Sequence, residues 1–210
     1  GYLITRLIVA EHARTEALSL RGFWARRARR LLPALVVMMF LLVVWTAFFE
    51  RDALGALRGD VIAGALYGSN WFQVWIGAGY TAVNDFAPLR HLWSLAVEEQ
   101  FYLVWPLVIF AVVHYSKKQW REWLGRIVVV ALVASLVTGI LLTPSNPGGA
   151  YYLPQARVWE ILVGAVLALY GSRVREIPEH LRAGAGWIGI AAIVGSAVGF
   201  SNATPFPGYA

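Results

Sequence analysis

Residues 31–49 form an unbroken run of nineteen residues without a charged side chain, and no other stretch limits the fold as tightly. As a helix rising 1.5 Å per residue, the run is about 28 Å long, close to the hydrocarbon thickness of a bilayer. Residues 127–142, 158–170 and 186–200 repeat the pattern at shorter length. With 59% hydrophobic residues and ten Trp in 210 residues, this predicts an all-α, polytopic transmembrane helix bundle. The formal charge of +6 is carried by arginines and lysines between apolar spans, the pattern of membrane-protein loops rather than a nucleic-acid-binding face. The absence of cysteine excludes a thiol nucleophile, and the four histidines lack metal-ligand spacing, so no metal is expected.

Along the chain, residues 2–10 read as the last turns of a helix. Five arginines then lie between Arg21 and Arg30, ahead of the first span, with Pro33 suited to that span's first turn. Residues 55–77 are ambiguous, moderately apolar yet carrying Arg58, Asp60, Asn70 and Gln73. A Gly-rich loop over 77–88 precedes a helix over 92–115, a basic turn holds Lys117 to Arg126, and turn residues fill 143–149. A polar loop is expected over 173–182, then a Gly-rich span whose small residues permit close helix packing. If residues 55–77 do not fully cross, most Lys and Arg fall on one side. The positive-inside rule makes that side cytoplasmic. The first residue, Gly1, and the Pro-rich end over 204–210 suggest a chain cut at both ends, the middle of a larger protein.

The most informative stretch is His91-Leu-Trp-Ser-Leu-Ala-Val-Glu-Glu-Gln-Phe-Tyr-Leu-Val-Trp-Pro106. A charge at mid-helix in a bilayer costs about 2.5–3.5 kcal/mol on insertion scales, so such residues normally face protein or a water-filled cavity. Ser94, Glu98 and Tyr102 are spaced i, i+4, i+8 and share one helix face. Pro106 removes the donor that the Tyr102 carbonyl would have used. Adjacent Glu98 and Glu99 point about 100° apart, so one of them faces inward, either for acid–base work or to pair with an arginine such as Arg157 or Arg90. His91 at the boundary is a general base or a structural residue. Ser94 lacks a nucleophile-elbow pattern. Arg26, Arg27 and Arg30 are spaced to share a helix side and suit bidentate phosphate contacts, although lipid phosphates alone can account for them. In Tyr151-Tyr-Leu-Pro-Gln-Ala-Arg-Val-Trp-Glu160, Arg157 and Glu160 are i, i+3 and can pair with each other.

In order, these segments resemble the acyltransferase 3 family of membrane-bound O-acyltransferases. Gly1-Tyr-Leu-Ile-Thr5 is similar to the end of that family's Ser-Gly-Phe-Leu-Ile-Thr helix, and Phe23 to Pro33 resembles its arginine motif, with Arg27 and Arg30 as the Arg-x-x-Arg pair. His91 to Pro106 is its most specific signature, with Ser94 and Glu98 as Ser-x-x-x-Glu. Tyr151 to Gly164 resembles its Tyr-Tyr…Arg-x-x-Glu…Gly segment, and Pro205-Phe-Pro-Gly208 its Pro-Phe-Pro loop. Ala25, Ala28 and Ala156 depart from the usual residues.

The resemblance implies a single acyltransferase domain over 1–210, part of a roughly ten-helix protein of the bacterial inner membrane. It implies acetyl-CoA as acyl donor on the cytoplasmic side. The acceptor is an extracytoplasmic glycan or lipid-linked glycan hydroxyl, as in lipopolysaccharide, peptidoglycan or exopolysaccharide. Membrane lipids surround the domain, and some relatives add a hydrolase-like domain. The family's essential histidine lies on a helix preceding this segment, so the piece alone is expected to be inactive. On this reading Glu98, Tyr102 and Ser94 are the candidate catalytic residues and Arg27, Arg30 and Arg26 bind the coenzyme. His91, Tyr152, Arg157 and Glu160 support the substrate. A secondary transporter or flippase would also place charges in a bundle, but it should carry inverted repeats, and none is evident.

Overall fold

The computed structural model describes residues 1–15, 17–77 and 87–200. Its α-helices are α1 (Tyr2–Thr15), α2 (Leu20–Phe49), α3 (Leu54–Ala65), α4 (Ser69–Trp75), α5 (Leu92–Ser116), α6 (Trp120–Leu142), α7 (Pro147–Tyr152), α8 (Pro154–Glu176) and α9 (Glu179–Gly199). No strand occurs among the described residues. Four helical stretches are long and apolar enough to cross a membrane: Leu20–Phe49, Leu92–Leu142, Pro147–Val174 and Glu179–Gly199. The second is α5 and α6 joined by a 3-10 turn at Lys117–Gln119, where Lys117 takes a φ of 41°. The chain is a multi-pass membrane protein.

The first long helix begins well before the uncharged run. Ser19 caps α2, its Oγ accepting from the Gly22 N–H at 3.3 Å, and the arginines that follow are good helix formers. Pro33 therefore lies inside α2 rather than in its first turn, and withholds a donor from the Arg29 carbonyl. The polar loop expected over 173–182 is also mostly helix. The α8 helix runs to Glu176, and Ile177 and Pro178 alone separate it from α9.

The ambiguous stretch is two short helices. With 12 and 7 residues, α3 and α4 are about 18 and 10 Å long, and neither spans a bilayer alone. They bury Asp60, Ser69, Asn70 and Gln73 against protein, which is why the stretch can be polar without being a loop. Gln73 Nε2 donates to Asp60 Oδ1 at 2.9 Å, and burial raises the Asp60 carboxyl above its ordinary value despite that bond and the nearby Arg90 charge.

One apolar core joins α1, α5, α6 and α8 through Ile4, Ile8, Trp105, Ile109, Leu124, Val128 and Leu162. A second joins α2, α3 and the start of α5 through Leu35, Met39, Leu57, Leu89 and Leu92. Close approach of α6 and α8 depends on Gly139, where a Cβ would lie 3.0 Å from the Ala156 carbonyl oxygen. Beside it, Ser135 Oγ accepts from the Trp159 N–H at 3.0 Å. A Cβ on Gly164 would meet the Tyr2 nitrogen at 2.6 Å, so this glycine sets the α1–α8 crossing. Gly186, Gly189, Gly195 and Gly199 meet nothing within 4 Å, and α9 buries no residue among the described ones.

Candidate active site

The α2 and α5 helices cross where Trp24 and Arg27, three residues apart, meet Glu99 and Tyr102, also three apart. Arg27 Nε donates to Glu99 Oε2 at 2.8 Å and Oε1 at 3.0 Å, and Nη2 also donates to Oε1. The guanidinium carbon stands 3.6 Å from the centre of the Tyr102 ring, a cation–π arrangement. Trp24 Nε1 donates to the Tyr102 carbonyl at 3.1 Å. That is the acceptor Pro106 strips of its helical partner, so the kink and the interhelical bond have one cause. The side chains of Arg27 and Glu99 are 23% and 13% exposed, shielded enough for the pair to be strong.

Two concavities meet at Arg27. One, of about 290 Å³, is lined by Trp24, Ala28 and Leu32 of α2, Leu66 and Tyr67 of the α3–α4 turn, and Glu99, Gln100, Tyr102 and Leu103 of α5. The other, of about 710 Å³, lies between α1 and α2 and carries Arg14, Arg26, Arg27 and Arg30 with Glu11. Arg27 and Leu31 border both. Arg26 reaches Glu11 only at 3.8 Å, while Arg30 is exposed with no bonded partner among the described residues. Such a donor set suits a polyphosphate, and the adjoining, largely apolar cavity suits an acyl thioester.

Gln100 ties the α3–α4 turn to this site. Its Nε2 donates to the Tyr67 carbonyl and to Asn70 Oδ1, each at 2.8 Å, and its Oε1 accepts from Trp71 Nε1 at 3.3 Å. Asn70 Nδ2 donates in turn to the Tyr152 carbonyl at 3.3 Å. Near the start of α5, Trp93 sits with ring centres 4.5 Å from Tyr151 and 5.5 Å from Tyr152, and the Arg157 guanidinium is 5.6 Å from the Trp93 centre. Arg157 pairs with Glu160 at 3.0 Å. This cluster lies about 9 Å along α5 from Glu99, by the helical rise.

Of the predicted residues, Arg27 and Tyr102 come together, and Arg26 and Arg30 line the basic concavity beside them. Tyr152, Arg157 and Glu160 gather in the second cluster. Ser94, Glu98 and His91 lie on an exposed side of α5, with the Ser94 hydroxyl donating to the His91 carbonyl at 3.3 Å. Glu98 stays within electrostatic reach of Arg27 and Tyr102. Of the two adjacent carboxylates it is Glu99 that turns inward, and its arginine is Arg27 rather than Arg157 or Arg90. Sequence reasoning missed Trp24, Tyr67, Asn70 and Gln100. Gln100 inside the Glu-Glu-Gln-Phe-Tyr block, Trp24 inside the arginine motif and Asn70 as a polar residue in an apolar stretch carried local signals, and Tyr67 carried none. The segment from Pro205 to Gly208 lies outside the described residues. Among those described, no group of His, Asp or Glu is placed to hold a metal.

The family model described as an acyltransferase domain matches residues 1–210. The chain is 37% identical over 172 residues to a putative peptidoglycan O-acetyltransferase, YrhL, of Bacillus subtilis, covering 80% of this chain and 27% of that protein. It is likewise 37% identical over 172 residues to the peptidoglycan O-acetyltransferase OatA of Listeria monocytogenes, with the same coverage. To the O-acetyltransferase OatA of Staphylococcus aureus it is 36% identical over 171 residues, covering 80% of this chain and 28% of that one. The chain thus spans little more than a quarter of the length of the curated relatives it matches. No solved structure matches it significantly.

Proposed function

This chain belongs to the acyltransferase 3 family, and from that premise we propose that the protein moves an acetyl group from acetyl-CoA to a hydroxyl of a cell-envelope glycan. The observation that carries the reading is the meeting of the two concavities at Arg27, one basic and one largely apolar, as a thioester of a phosphorylated carrier requires. Arg26 and Arg30 hold the coenzyme phosphates, joined by Arg27 Nη1, which makes no bond to Glu99. Glu99 keeps Arg27 extended across the helix crossing, and Tyr102 lies along the acyl path. In the transfer the C–S bond of the thioester breaks and a C–O bond to the acceptor forms. The hydroxyl proton leaves through a general base, and the thiolate takes up a proton as the free thiol.

The named activity of the relatives makes peptidoglycan the acceptor of choice. Trp93, Tyr151 and Tyr152, whose rings suit stacking against a sugar, belong on the acceptor side with Arg157 and Glu160. Ser94, Glu98 and His91 lie along α5 between this cluster and the Arg27 crossing or flank it, with Glu98 orienting or charging a partner. The basic concavity faces the cytoplasm of a bacterial inner membrane, and the start of α5 faces outward.

The test uses the full-length protein in membranes with acetyl-CoA labelled in the acetyl group. Label should reach the peptidoglycan fraction in wild type and fall by about 100-fold or more in the Arg27→Ala/Arg30→Ala variant, as for loss of a positioned anion clamp. Transfer unchanged in the variant removes the arginines from the donor site, and no transfer by folded wild type removes the reading itself.

A further inference from the structure

The turn between α3 and α4 puts its strain on an unexpected residue. The Gly68 N–H donates to the Ala63 carbonyl at 2.7 Å and the Tyr67 N–H to the Gly64 carbonyl at 3.1 Å, the paired bonds of a Schellman ending. The residue between the helix cap and Gly68 must be left-handed in this motif, and glycine normally fills it. Here it is Tyr67, at φ 52°, while the neighbouring glycine, Gly68, sits at an ordinary φ of −111°. A bulky residue with positive φ persists only where its surroundings fix it, and such residues gather at functional sites. The surroundings are Gln100, whose amide holds the Tyr67 carbonyl at 2.8 Å, and Asn70, which the same amide grips. What these bonds fix is the backbone from which the ring projects. Half-buried Tyr67 lines the 290 Å³ cavity together with Leu66, facing the α2 wall of Ala28 and Leu32, with Arg27 and Glu99 at the cavity's polar side.

Resting on the acyl-transfer reading above, we infer that this cavity takes the acyl end of the donor thioester and that Tyr67 forms its closing wall, limiting the length of acyl chain accepted. The lining has the required chemistry. Leucines and aromatic rings surround the alkyl portion, and the polar atoms of Arg27 and Tyr102 stand where the thioester carbonyl joins the phosphate-bearing carrier. The backbone that carries this wall is tied to α5, because Gln100 Nε2 donates to the Tyr67 carbonyl and to Asn70 Oδ1, so the turn itself resists displacement by a longer chain.

The experiment compares transfer from acetyl-, butyryl- and hexanoyl-CoA by the full-length protein in membranes. Tyr67→Gly should raise the hexanoyl-to-acetyl ratio of kcat/KM by about tenfold or more, the scale on which apolar pockets discriminate chain length. Its loss of thermal stability should be smaller than for truncating an equally buried aromatic at an ordinary φ, since glycine takes the left-handed position freely while the ring's packing on the second core is lost. Tyr67→Phe should leave the ratio unchanged. Ala28→Leu, which narrows the cavity from the opposite wall, should lower the ratio. Wild-type acetyl transfer with a ratio unmoved in both Tyr67→Gly and Ala28→Leu overturns the pocket while the acyltransferase reading stands. Absence of transfer from every donor in wild type brings down both.

Discussion

Glu99 and Arg27 are each the other's main charged partner, in a setting where neither is well hydrated. Removing one member of a buried pair leaves the other uncompensated, at about 3–5 kcal/mol for full burial, and somewhat less here because Arg27 keeps part of its exposure. Glu99→Leu and Arg27→Leu should therefore each lower the thermal midpoint of the purified protein clearly. The Arg27→Leu/Glu99→Leu double variant should recover much of that loss, because the two changes are coupled through one contact. A double-mutant cycle read by thermal unfolding in detergent checks this, and additive losses would show that the pair contributes no coupling. Spacing alone could not pick Glu99 over Glu98. The two lie on one helix 100° apart, and which faces α2 depends on how far α5 is rotated when Trp105 donates to Thr5 and Trp24 to Tyr102.

At the scale of elements, α3 and α4 are attached to the bundle by side-chain bonds as much as by apolar packing. Gln100 makes three of these bonds, and Asn70 extends them to α7. Gln100→Leu keeps the volume but leaves the Tyr67 carbonyl and Asn70 Oδ1 without that donor, at about 1–3 kcal/mol for each buried group left unpaired. Hydrogen exchange at residues 66–76 should quicken relative to wild type while that of α6 and α8, held by Gly139 and the Ser135 bond, stays slow. Uniform acceleration would mean that the turn is not a separately anchored unit. The helical nature of residues 55–77 was hard to read because their apolar residues serve two short helices whose polar side chains also face inward. Neither a clean stripe nor a full span results.

For the whole molecule, whether the α3–α4 pair crosses sets the sidedness of everything after it, and neither helix is long enough to cross by itself. No cysteine lies within these 210 residues, so single cysteines introduced here report topology in a protein cleared of any cysteine outside them. Cysteines at exposed Ala17 and Lys118 should react with an impermeant thiol reagent from the same side of sealed vesicles, and cysteines at exposed Asp52 and Ser145 from the other. Lys118 labelling from the side of Asp52 would mean that residues 54–75 cross after all. The sequence by itself determined the bundle class, the approximate places of the long helices and the candidacy of Arg27 and Tyr102, because an uncharged run and an i, i+3 or i, i+4 spacing are local properties. Only the tertiary structure decided that Glu99 is the arginine's partner, that Gly139 and Gly164 bring helices together, and that Tyr67 lines the Arg27 cavity. Each of these depends on the rotation of one helix against another, which residues distant in the chain fix jointly and no single segment encodes.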